Sequence, residues 1–78
     1  MTTATEGRVS LDSTTLAAAA YDGRCERLEL DFRDGTRYAY TGVPPNLYLD
    51  LLRADSKGSF FNRHIRGRFP CVKTDSEN

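Results

Sequence analysis

The chain has 78 residues, 38% of them hydrophobic, with 11 Lys/Arg, 11 Asp/Glu and a single histidine, a size at which one hydrophobic core is the most that can be built. That length leaves no room for a second domain, and the longest apolar run, Leu16 to Tyr21, is too short to cross a bilayer, which needs about 20 residues. The zero formal net charge conceals an imbalance, because Met1 to Leu52 sums to −3 while Arg53 to Lys73 sums to +5, so a basic surface must be local.

Residues 1–8 and 73–78 are polar and rich in Thr, Ser, Glu and Asp, and they are read as tails around a folded domain at 9–72. The first strand is Leu16 to Tyr21, ended by Asp22-Gly23. Glu26 to Arg33 follows with Leu28, Leu30 and Phe32 on one side, and Asp34-Gly35 turns the chain into a third strand, Thr36 to Val43. These segments predict a three-stranded antiparallel meander.

The register of the second turn decides where the tyrosines lie, because a slip of one residue moves them to the opposite face. A two-residue loop at Asp34-Gly35 sets Tyr38 opposite Asp31 and Tyr40 opposite Glu29, on the acidic face. A three-residue loop, Arg33-Asp34-Gly35, with Gly35 at the left-handed bulge position, pairs Phe32 with Thr36, Leu30 with Tyr38 and Leu28 with Tyr40. The second register gathers five large side chains on one face, each worth roughly 1.5–3 kcal/mol when buried, and is the one expected.

Pro44-Pro45 stops the third strand, since proline cannot donate to a ladder but is tolerated in the first turn of a helix. A helix over Pro45 to Ala54 follows, with Leu47, Leu51 and Ala54 at helical spacing beside Tyr48 and Leu52, and this face should lie on the sheet. Asp55 and Ser56 suit a helix cap, and Gly67 suits a stop, which places a second helix up to about Arg66. On its wheel Phe60, Phe61, His64 and Ile65 share one face, and Ser59, Asn62, Arg63 and Arg66 the other. The predicted fold is α+β: a three-stranded antiparallel β-meander with a C-terminal helical hairpin packed on one face.

The order and spacing of several of these residues resemble a known family. They are Ala20-Tyr21-Asp22, the spaced Leu28, Leu30, Phe32 and Gly35, Tyr38-Ala39-Tyr40, Val43-Pro44, Tyr48, Ala54, Ser56-Lys57-Gly58, Phe61-Asn62 and Ile65-Arg66. Over about Val9 to Phe69 the chain resembles the KTSC domain, a short bacterial module named for its place at the C-terminus of some lysyl-tRNA synthetases. The resemblance implies a stand-alone copy of that module. It implies no established biochemical activity, and only a suggestion of RNA binding from the attachment to a synthetase.

The residues themselves point to a polyanion. Ser56-Lys57-Gly58-Ser59 presents backbone N–H groups, a hydroxyl and an ammonium at a helix start, where anions are favoured. Gly58 would allow close approach to the backbone. Arg53, Lys57, Gly58, Ser59, Asn62, Arg63, Arg66 and Arg68 are the candidate nucleic-acid-binding residues, with Lys73 able to extend the track and Phe60 or His64 to stack on a base. The expected partner is RNA or another polyanion. The rival is an acidic protein meeting the same basic and aromatic surface, and the bland alternative is a solvated helix face neutralised by Asp12, Asp50 or Asp55. Tyr38 and Tyr40 are read as core beneath the helices rather than as a base-stacking platform.

No enzyme, cofactor or metal is expected. Two cysteines and one histidine are too few and too scattered for a four-ligand zinc site. Ser59 and His64 lie five apart on different sides of a helix, with no acid to orient the imidazole. Lys57 followed by glycine lacks the glycine-rich approach of a phosphate-binding loop. Cys25 lies beside Arg24 and Arg27, which could depress a thiol pKa, but a structural or incidental cysteine is the preferred reading. With no secretory signal or membrane anchor read in the sequence, a reduced cytoplasmic protein is expected, a Cys25–Cys71 disulfide being the alternative.

Overall fold

The structure is a computed structural model describing residues 8–74; of the tails read at 1–8 and 73–78, residues 1–7 and 75–78 lie outside the described residues, whereas Arg8 opens a first strand and Lys73 closes a last one. The elements in order are β1 (Arg8–Ser10), β2 (Leu16–Asp22), β3 (Arg27–Phe32), β4 (Arg37–Tyr40), α1 (Pro45–Arg53), α2 (Lys57–His64) and β5 (Cys71–Lys73). They form one antiparallel sheet in the order β1-β2-β3-β4-β5. The expected meander is its centre, β2 to β4, but the sheet has five strands and not three. β1 and β5 are three residues each, too short to show an alternating pattern, and they gain their backbone partners only because β2 and β4 present open edges.

The β3–β4 register is the one expected from burial: Leu28 pairs with Tyr40 and Leu30 with Tyr38. Phe32 N donates to Thr36 O at 2.8 Å, and Gly35 has φ 94°, the left-handed position that glycine fills without steric cost. Between Leu16 and Ala18 the β2–β3 register shifts, and the bulge returns both Leu16 and Ala19 to the covered face.

Both helices cover that face. Leu16, Leu28, Leu30, Val43, Leu51 and Ile65 are fully buried, with Leu11, Ala19, Tyr40 and Phe61 completing the core. Phe61 of α2 meets Phe32 and Tyr40 edge to face at 5.3 and 5.8 Å, and Tyr48 of α1 stacks on Tyr21 at 4.8 Å. The Tyr21 hydroxyl donates to Val43 O, tying β2 to the loop before α1. Tyr40 is buried and Tyr38 half-buried against the core, so neither offers an open platform. Burial pushes the Tyr40 phenol up to about 12, as expected when desolvation penalises the phenolate.

The other face of the sheet is a charge network over small residues. Arg8 pairs with Ala20, while Ala20 and Ala18 pair in turn with Glu29 and Asp31, and these small side chains leave space for its guanidinium to reach Glu29 at 2.7 Å and Asp31 at 2.9 Å. Arg37 meets Asp31 at 2.6 Å and Arg27 meets Glu29 at 3.2 Å.

Candidate nucleic-acid interface

The helical hairpin is built from local signals. Pro45 opens α1, whose C-cap Ala54 is extended. Ser56 then caps α2, its Oγ accepting from Ser59 N at 3.3 Å. Lys57 turns back so that Nζ donates to Ala54 O at 3.0 Å, satisfying a carbonyl left open where α1 ends. Its ammonium therefore holds the hairpin corner together. α2 closes with Ile65 N and Arg66 N both donating to Phe61 O, and Gly67 at φ 76° turns the chain away.

Gly58 has a packing role. A Cβ there would lie 2.9 Å from Thr15 Oγ1 and 3.2 Å from Thr15 Cβ, so the glycine lets α2 press against the loop between β1 and β2. It is buried, and the space above it is filled by Thr15 rather than left for an anion. Beside this contact runs a groove of about 390 Å³ whose lining includes Asp12, Thr15, Asp55, Lys57, Ser59 and Asn62. With two carboxylates on its walls against one ammonium, itself donating to Ala54 O, this groove is a poorer seat for phosphate than the sequence suggested. Asp12 and Thr15 belong to it because the chain folds back; no spacing along the sequence marks them.

The remaining cations fall at the two ends of α2. Arg53, the last residue of α1, is exposed near the corner. Arg63, Arg66 and Arg68 are exposed at the far end. Arg66 Nη1 donates to Asn62 Oδ1 at 3.3 Å, and Arg68 Nε donates to Arg63 O at 2.9 Å. Each of these two bonds uses one of the five N–H donors of a guanidinium, so both side chains are oriented while most of their donors face outward.

Charge pairing divides the molecule. Arg8, Arg24, Arg27 and Arg37 form the ion pairs of the sheet and its first turn. Among the described residues, no ion pair within 4.0 Å includes Arg53, Arg63, Arg66 or Arg68. Asp12, Asp50 and Asp55, which could have neutralised the helix, form none either.

Phe60 and His64 share a face of α2 as expected, their rings 4.5 Å apart and tilted by 38°. Phe60 is half-buried against the core, whereas His64 is exposed. Cys25 and Cys71 are both free and exposed. Among the described residues there is no group of three or more His, Cys, Asp or Glu side chains able to hold a metal ion, and no helix is long and apolar enough to cross a membrane.

Comparison with known proteins agrees with this architecture. The KTSC domain model matches residues 12–69. A protein from Tsukamurella paurometabola is 40% identical over 62 residues, which cover 80% of this chain and 92% of that one. A lysine–tRNA ligase from Nostoc punctiforme is 34% identical over 58 residues, which make up 74% of this chain but only 10% of the ligase. The crystal structure of a KTSC domain protein from Yersinia pestis superposes with a TM-score of 0.83 at 36% identity, covering 85% of this chain and 93% of that one. The chain belongs to the KTSC domain family.

Proposed function

We propose that this KTSC domain is a non-catalytic module that binds RNA, with Arg63, Arg66 and Arg68 at the end of α2 contacting phosphates and Arg53 extending the track around the hairpin. The observation that carries this reading is the partition of charge. The arginines of the sheet are committed to carboxylates, while those of the helical hairpin have no carboxylate within ion-pair distance among the described residues. Three unneutralised guanidiniums at the far end of α2, with a fourth at the hairpin corner, raise the local potential, and guanidinium forks match phosphate oxygens. The occurrence of the same region within lysine–tRNA ligases, whose substrate is an RNA, supports RNA over other polyanions.

The test is charge reversal read by fluorescence anisotropy of labelled single-stranded RNA. Arg63→Glu/Arg66→Glu should abolish binding measured at low salt. Arg24→Glu, which alters an arginine already paired with Asp22, should leave it within about twofold, since that exposed turn pair contributes little. Equal loss in both variants, or no RNA binding by the wild type, would contradict the proposal and favour an acidic protein as the partner of the same surface.

A further inference from the structure

Building on that RNA-binding reading, we infer that the strand is single and that one of its unpaired bases stacks on the outer face of His64. Of the described aromatic rings, His64 alone is exposed; the others are buried or half-buried. Tyr21 and Tyr48 are stacked on each other, and Phe32, Tyr38, Tyr40 and Phe61 form a continuous edge-to-face and tilted group in the core. His64 is therefore the ring with a face to offer.

Its position is prepared by a neighbouring ring, and arginines lie close to it along the chain. Phe60, one helical turn earlier and packed against the core, supports the imidazole at 4.5 Å, so little side-chain freedom is lost when a base arrives. Arg63 precedes His64 and Arg66 follows it at two residues, while the Arg68–Arg63 O bond draws a third guanidinium to the same end of the helix. Exposed rings on a basic surface hold single strands without regard to sequence, because every base has a π-face. A duplex keeps its bases stacked inside and would have to be opened to reach the ring.

The test compares a short single-stranded RNA with an abasic strand of the same backbone and length, for the wild type, His64→Ala and His64→Phe, by anisotropy. Thermal unfolding checks that each variant is folded, which the exposed position favours. The wild type should bind the base-bearing strand more tightly than the abasic strand by roughly 5- to 140-fold, the range for one stacked base. His64→Ala should lose that preference while keeping its affinity for the abasic strand, and His64→Phe should retain the preference. An equal effect of His64→Ala on both strands, or no effect on either, would overturn the stacking inference while leaving the arginine surface standing. Failure of the wild type to bind either strand would overturn the RNA-binding reading itself, and the stacking inference with it.

Discussion

Replacing Gly58 with alanine should destabilise the protein, against the usual trend for a helix. Alanine is favoured over glycine in a helix interior by about 1 kcal/mol, and overpacking a tight contact costs about 1–3 kcal/mol. The added methyl carbon would lie 2.9 Å from Thr15 Oγ1 and 3.2 Å from Thr15 Cβ. Rotating the hydroxyl relieves the first contact but not the second, because Cβ moves only with the backbone. That backbone is held by Arg33 N donating to Thr15 O at 2.9 Å and by Thr15 N donating to Ser13 Oγ at 3.1 Å. The expected balance is a loss of up to about 2 kcal/mol, which in a domain of this size lowers Tm by up to roughly 16 °C. Urea titration followed by circular dichroism, with Thr15→Gly as a second background, isolates the cause. Once the Thr15 side chain is gone, Gly58→Ala should become neutral or stabilising. A stabilising Gly58→Ala in the wild-type background, or the same cost in both backgrounds, would refute the close approach of α2 to this loop.

Three further outcomes follow from single groups. Tyr40 holds its proton up to about pH 12 in the folded state against an ordinary value of 10.0, so its contribution is intact below pH 10 and is lost as pH rises from about 10 to 12. Tyr40→Phe should therefore remove about 2–3 kcal/mol of the alkaline loss seen in urea titrations across that window. Tyr21→Phe removes the hydroxyl that donates to Val43 O and should cost about 1 kcal/mol by chemical denaturation, with the stack on Tyr48 retained. Gly35→Ala meets open space but a φ of 94°, so calorimetry should show a loss of about 1–2 kcal/mol from backbone strain, less for Gly35→Asn.

The centre of the fold was legible because its constraints are local. Phe32, Leu30 and Leu28 can share a face with Tyr38 and Tyr40 in one turn geometry only, and Gly35 marks that geometry. The helical hairpin was legible from Pro45, Ser56 and Gly67 for the same reason, to within two residues at the end of α2. β1 and β5 were not, since strands of three residues carry no period, and their pairing depends on the edges that β2 and β4 leave open. In the candidate site, the exposure of Arg63 and Arg66 could be read from a helical wheel. The packing role of Gly58 could not, because Thr15 lies far away in sequence. Nor could the division between paired and unpaired arginines, which depends on Arg8 reaching Glu29 and Asp31 across the small side chains of β2.

The most direct test of the central claim, that the unpaired arginines of the hairpin meet phosphates, is the salt dependence of single-stranded RNA affinity. Three or four phosphate contacts predict a slope of log K against log salt concentration of about −2 to −3, or roughly a 20- to 50-fold loss of affinity between 50 and 200 mM salt. Arg63→Glu should flatten that slope by close to one phosphate contact. A slope near zero, or one unchanged by Arg63→Glu, would contradict the claim.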